Sequence, residues 1–479
     1  MNHNPHDSNL FGQDPACCSR RHLLKAASGG FAWLAFSAML AGKLPLPSYA
    51  DPEPGAAGGQ DTIPKPKARA KRVIFLCMQG APSHVDTFDY KPTLIASDGK
   101  SFSRNRGRVS GNSKLLAPQW KFYSYGKSGL PISELFPNVG KHADKLCLLN
   151  SMSTDLPDHG RAQLKLHTGN SQFIRPSMGA WVIYGLGSEN ENLPGYITIN
   201  PGGGSQNYGA GFLPAEFQGM PVPMRGRSEA QLRYMDNPRL KPKNQRVQLD
   251  FVQDLNKHHM QQNTPGGDQA IEGVIKSYEM AFRMQADAPK LMDIESEPQA
   301  VKAAYGIGNG DTDGFGRQCL LARRLSEAGV RFVEVQNGGW DHHRNLSDAL
   351  PDSCRKIDQP IGALLADLES RGLLDETLVI WGGEFGRTPY SQNSNGRDHN
   401  NKGYTLWMAG GGVKGGMRYG ATDEVGYEAV ENKIDIHDVH ATILHLMGID
   451  HEMLTYRYAG RDFRLTDVFG HVLKDIVTA

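Results

Sequence analysis

The 479-residue chain has almost no excess charge of either sign: 52 Lys and Arg stand against 51 Asp and Glu, a net of +1. That balance argues against a nucleic-acid partner and against a membrane-surface patch. Cysteine is scarce, at 6 residues. Cys17 and Cys18 fall in the N-terminal leader. Cys77, Cys147, Cys319 and Cys354 are widely spaced with no C-x-x-C pair, so a disulfide framework is not expected. Cys77 sits in an apolar run and reads as core. There is no internal repeat, and Gly410-Gly-Gly412 lacks the spacing of a phosphate loop. Across the whole chain Gly (55) and Pro (28) are abundant, as expected of many loops around a globular core.

The N-terminus reads as an address. Arg20 and Arg21 are followed by an apolar stretch from Ala26 to Leu40, too short and Gly-rich for a membrane span, and by small residues at Ser48-Tyr49-Ala50. Residues 1–50 are thus expected to be a twin-arginine signal peptide that engages the twin-arginine export machinery. Cleavage would leave no stable membrane span and a periplasmic or secreted protein. Residues 51–70, with four prolines, read as a linker, and 71–479 as a single α/β domain.

Within that domain Arg72 to Met78 is a continuous apolar run, expected to be a strand buried on both faces. Lys145 to Leu149, Leu193 to Ile199, Phe332 to Val335, Leu378 to Trp381 and Tyr404 to Ala409 are further strand candidates. Between two of them Ile357, Ile361, Leu364, Leu365 and Leu368 recur at helical spacing, with Gly372 as the stop. Strand, helix, strand implies a parallel sheet. Residues 200–300 carry weaker signals and read as a loop-rich, helical insertion.

Metal-capable side chains collect after the strands. Asp86 follows the first, His159 the second, Asp341, His342 and His343 the one at Phe332, and Glu384 the one at Leu378; Asp398 and His399 come next. In open parallel sheets, sites form beyond the carboxyl ends of the strands. Asp86, Asp341, His343, Glu384, Asp398 and His399 are therefore the expected metal ligands, for one or two divalent ions such as Zn²⁺, Mn²⁺ or Ca²⁺. Adjacent His342 and His343 do not both point one way, and His343 is favoured. Glu384 has three readings: ligand, general base, or ion-pair partner of Arg387. Arg387 is expected either to grip an anionic ester oxygen or to pair with Glu384. Asp398 is a ligand or orients His399. His159 is a ligand, a nucleophile, a general acid or a plain loop residue. His437, His440 and His445 share an apolar helix and read as core or supporting residues.

Several segments carry a resemblance. Ser83 to Pro92, Gly339 to His343, Gly382 to Pro389, Gly396 to Asn400 and His440 to His445, with the leader, look like the family named "domain of unknown function 1501". More distantly, the order of elements resembles the alkaline phosphatase and sulfatase superfamily. That implies a three-layer sandwich with a mostly parallel sheet and hydrolysis of phosphate or sulfate esters, on a small molecule or a polysaccharide. The same resemblance puts Asp341 and His343 on one metal and His399 at a later ligand. Glu384-Phe385 stands where relatives carry an Asp-His metal pair, Gln79-Gly80 where they carry an Asp, and His159 near the nucleophile position. No Cys-x-Pro-Ser-Arg signature is present. Two functions remain: a metal-dependent ester hydrolase using metal-activated water, and an inactive sulfatase-like protein that binds anionic polysaccharide.

Overall fold

A computed structural model describes residues 66–102, 113–224, 240–263, 269–393 and 395–479. The expected leader, its twin arginine and most of the linker lie outside the described residues. Two compact units are present. One holds 240–263 and 269–285; the other holds the rest of the described chain. The first contains the helix Pro242–Asn263 and most of the helix Gln269–Met292, clipped together by Arg246 and Glu279 at 2.7 Å. Both fall inside the expected insertion.

The larger unit is built on one nine-stranded sheet. Its strands are β1 (Arg72–Met78), β2 (Leu146–Ser153), β3 (Tyr196–Ile199), β4 (Met220–Val222), β5 (Phe332–Asn337), β6 (Thr377–Gly382), β7 (Tyr404–Ala409), β8 (Met417–Tyr419) and the short β9 (Ile434–Asp435). The order is β8-β2-β7-β6-β1-β5-β3-β4, with β9 also pairing with β2. Every pairing is parallel except those of β7, which runs antiparallel to both neighbours. A mostly parallel sheet buried on both faces needs apolar residues at every position, and β1, β2 and β6 are almost continuously buried.

Helices cover both faces. Val73, Phe75 and Cys77 pack with residues of α1 (His159–Thr168), α2 (Met178–Leu186) and α5 (Ile436–Leu446). The alternate residues Ile74, Leu76 and Met78 point the other way. There α3 (Asp313–Glu327) lies on β1 and β5, and α4 (Leu346–Ser370) packs on α3. This is the α/β sandwich with a mostly parallel sheet expected from the sequence. Residues 98–130, polar and rich in Gly and Ser, read as loops, but Phe122–Tyr125 pairs with Leu130–Ser133 in a hairpin. Its small pairing is set by the Gly126 and Gly129 turn, a signal hidden by the polar composition around it.

The topology decides where the loops meet. Strands β1, β5 and β6 are mutually parallel, and β2 shares their direction because β7 is antiparallel to both β2 and β6. The loops after β1, β2, β5 and β6 therefore leave from one edge. The segment that enters β7 starts from that edge as well.

Candidate metal centre

Four of the expected residues come together at that edge. His159 opens α1, after β2. Asp341 and His343 lie on the loop after β5. His399 lies on a small hairpin, Gly386–Ser391 with Arg397–Asn400, between β6 and β7. One ligand atom from each falls within 4.8 Å of all the others. The Asp341 carboxylate oxygen Oδ1 is 3.2 Å from His159 Nε2, 2.9 Å from His343 Nε2 and 3.2 Å from His399 Nε2. His343 Nε2 and His399 Nε2 are 2.9 Å apart.

The far side of each imidazole explains why. His159 Nδ1 lies 2.5 Å from Glu384 Oε1, His399 Nδ1 lies 2.8 Å from the Pro157 carbonyl oxygen, and His343 Nδ1 contacts Gln392 Oε1. Each partner is an oxygen that accepts, so each Nδ1 donates. A neutral ring with Nδ1–H carries its lone pair on Nε2, and all three Nε2 atoms turn to the same point. Three such lone pairs and the ionised Asp341 oxygen face one point, an arrangement that a single cation satisfies. The donor set thus fits a divalent metal on the chemistry of these residues alone.

Glu384 is the anchor. It is 1 % exposed and sits in the turn between β6 and the hairpin. Its Oε1 accepts from the Gly80 amide at 3.0 Å as well as from His159, and its Oε2 accepts from Gln163 Nε2 at 3.0 Å. Gly80 has φ 111°, and a Cβ there would stand 2.7 Å from the Asp341 amide nitrogen. Glycine lets the loops after β1 and β5 touch. Phe385 packs its ring 4.8 Å from both His159 and His399.

Arg387 is almost fully enclosed. It donates to Asp341 Oδ1 at 2.5 Å, to the carbonyls of Ala81 at 3.0 Å and Arg397 at 3.3 Å, and to Gly80 O. Burial pushes the Asp341 carboxyl up, but the Arg387 hydrogen bond and charge outweigh it and hold the group well below the usual carboxylate range. Burial also disfavours the His159 cation, yet the Glu384 hydrogen bond and the two nearby carboxylates raise its pKa above the ordinary value. Burial lowers His399. His342 turns away toward Ser353 Oγ at 3.3 Å, and burial, then the Arg387 charge, push it down to about 4.

The other expected residues stand elsewhere. Asp86 lies on a buried helical turn, His84–Thr87, and forms a two-pronged pair with Arg397 at 2.6 and 2.9 Å. Both its oxygens are thereby taken, and it is not part of the cluster. Asp398 is half exposed, 3.9 Å from His343 Nδ1, and accepts from the His399 backbone amide. It does not orient the His399 ring; the Pro157 carbonyl does. Glu384 pairs with His159 and not with Arg387, and Arg387 pairs with Asp341. His437 and His440 bond to the carbonyls of Gly169 and Leu166 and tie α5 to α1. Phe385, at the substituted position after Glu384, packs on two of the imidazoles, whereas Gln163 and Gln392 are supports that the strand-end argument does not reach. Gln163 alone left a trace, four residues after His159 on the same helix face.

Among the described residues no helix is long and apolar enough to cross a membrane. No curated protein matches the chain. Solved structures do. Ps i-CgsB, crystallised with k-i-k-neocarrahexaose, matches with a TM-score of 0.36 and 10% identity, over 80% of this chain and 72% of that one. The PsFucS1 sulfatase from Pseudoalteromonas sp. gives 0.35 and 13%, over 81% and 69%. The alkaline phosphatase from the Antarctic bacterium TAB5 gives 0.30 and 13%, over 74% and 95%. Residues 70–477 match the family described as "Protein of unknown function (DUF1501)", and the chain belongs to it.

Proposed function

We propose that the protein is a metal-dependent hydrolase of phosphate or sulfate esters, with its centre on His159, Asp341, His343 and His399. One observation carries this: three imidazoles, each pinned through Nδ1, turn Nε2 onto one carboxylate oxygen. Three nitrogens and an oxygen suit Zn²⁺ or Mn²⁺ and argue against Ca²⁺, which prefers oxygen alone. A divalent ion there supplies Lewis-acid chemistry, polarising an ester and activating water. The chain's own residues prepare the site. Arg387 keeps Asp341 ionised and is itself too enclosed to reach an ester oxygen. Glu384 fixes the His159 tautomer, which makes His159 a ligand and leaves water as the nucleophile. The ester class rests on the resemblance of the order of elements to the alkaline phosphatase and sulfatase superfamily. Export through the twin-arginine pathway is part of the same proposal, and cell fractionation with and without Arg20→Lys plus Arg21→Lys tests it.

The test is elemental mass spectrometry of the full chain beside an assay on p-nitrophenyl phosphate and p-nitrophenyl sulfate. About one tightly held Zn²⁺ or Mn²⁺ per chain is expected, and Asp341→Ala should lose both metal and turnover. No metal after loading, or turnover surviving in Asp341→Ala, overturns the reading. A second reading, an inactive protein that binds anionic polysaccharide, is favoured by one feature: His159, near the expected nucleophile position, is tied up by Glu384. Metal retained with no turnover, together with binding to a sulfated polysaccharide, would select it.

A further inference from the structure

Beside the metal centre lies a set of amide groups that the proposed reaction does not use. Asn207 is 1 % exposed, and neither its amide nitrogen nor its amide oxygen has a partner. Gln163 is 2 % exposed, and its Oε1 has none either. The orientation of Gln163 is settled by chemistry: its Nε2 faces the Glu384 carboxylate, which only accepts, so the free atom is the carbonyl oxygen. Both amides meet under the loop after β3. A Cβ on Gly203 would stand 3.4 Å from Gln163 Oε1 and run into the Asn207 amide nitrogen. Gly203 and Gly204 are exposed and adopt φ of 70° and 95°, so the roof over these amides carries no side chain.

We propose that this is a subsite for uncharged hydroxyl groups of a sugar or other polyol, holding the non-reacting part of the substrate beside the metal centre; it rests on the hydrolase reading for that role. The chemistry selects the ligand. A hydroxyl both donates and accepts, so it bridges an amide N–H of Asn207 and the carbonyl oxygen of Gln163. A phosphate or sulfate oxygen only accepts and meets an unfavourable acceptor at Gln163. No charged group other than Glu384 enters the set, and Glu384 is held by His159, Gly80 and Gln163. Sites built from buried amides reject partners that leave them unpaired. The glycine roof provides entry, since its backbone has room to move where a side chain would block it.

The full chain, metal-free and Zn²⁺-loaded, is titrated with methyl β-galactoside, myo-inositol and inorganic phosphate, by saturation-transfer NMR and calorimetry. Saturable binding of at least one polyol is expected in both metal states. Asn207→Leu should weaken it about tenfold, the equivalent of one lost hydrogen bond, with metal content unchanged. Gly203→Ala, which fills the space from the roof, should do the same, and carries the test if Asn207→Leu does not fold. No saturable polyol binding, phosphate binding in its place, or polyol binding that both variants leave intact overturns the subsite. Polyol binding by a chain that takes up no metal even after loading would sink the hydrolase reading alone; metal uptake without polyol binding would sink the subsite alone.

Discussion

The cluster of His159, Asp341, His343 and His399 and the cluster of Cys77, His167 and Glu334 each bring ligand-type atoms within 4.8 Å. They differ in what those atoms already hold. At the sheet edge, each imidazole uses Nδ1 on a fixed acceptor and keeps Nε2 for the shared point. In the core, His167 Nδ1 donates to the Gln163 backbone carbonyl at 2.7 Å and its Nε2 to Glu334 Oε1 at 2.9 Å. Glu334 accepts further from the Tyr196 hydroxyl at 2.9 Å and from Gln336 Nε2 at 2.5 Å. Burial, then the charges of Glu334 and Glu384, push the Cys77 thiol well up, so it stays protonated. The imidazole and the carboxylate of that cluster are satisfied, and all three side chains are closed to solvent. The same residue types make a candidate metal centre in one place and a structural polar network in the other. Lone-pair direction, not composition, separates them.

Four experiments press on that comparison. The largest effect is expected at the edge: His343→Ala should abolish metal retention, read by elemental mass spectrometry, while the melting temperature of the metal-free chain changes little; Asp341→Ala should also abolish it, but at a cost in stability because Arg387 loses its carboxylate. In the core the pattern should invert. Glu334→Ala leaves His167 buried without its partner and should destabilise the fold by about 3–5 kcal/mol in urea unfolding, with metal stoichiometry intact. Metal loss without destabilisation there would make the inner cluster the true ligand set. Next comes Glu384→Ala, which removes the acceptor behind His159; metal affinity should fall about 10–100-fold, as for other supporting carboxylates. Gln392→Ala, behind His343, should cost less, since its amide is a weaker acceptor than a carboxylate.

The smallest effect is a pH dependence of stability. Burial opposes both charges of the inner pair, yet the Glu334 charge and hydrogen bond raise His167, and the His167 charge and hydrogen bond lower Glu334. The His167 contribution is full below its ordinary value of 6.5 and fades as pH rises through its raised value. The Glu334 contribution is full above its ordinary value of 4.5 and fades as pH falls through its lowered value. Unfolding of the native chain and of Glu334→Gln should therefore differ most between these two values. Curves that stay parallel from pH 4 to 8 would show that the pair is neutral.

Asp341, His343 and His399 are legible as members of one edge cluster because each follows or precedes a strand recognisable from its apolar run. Asp86 shows the limit of that logic. It too follows a strand, but Arg397, 311 residues away in the chain, takes both its oxygens. Arg387 and Glu384 are three residues apart and invite pairing on paper. The hairpin sends them to different partners, Asp341 and His159. None of these choices follows from local spacing, because each is a competition among groups that only the fold brings together.

What the amino-acid sequence determined by itself is the sheet and its working edge. Continuous apolar runs need burial on both faces, helical spacing between them demands crossovers, and glycine turns mark where polar loops begin. The tertiary structure alone decided which carboxylate faces the three imidazoles, which one pins an imidazole from behind and which one is locked in an ion pair. A carboxylate's role depends on the donor it meets and on the water it loses, and both are properties of packing across the chain.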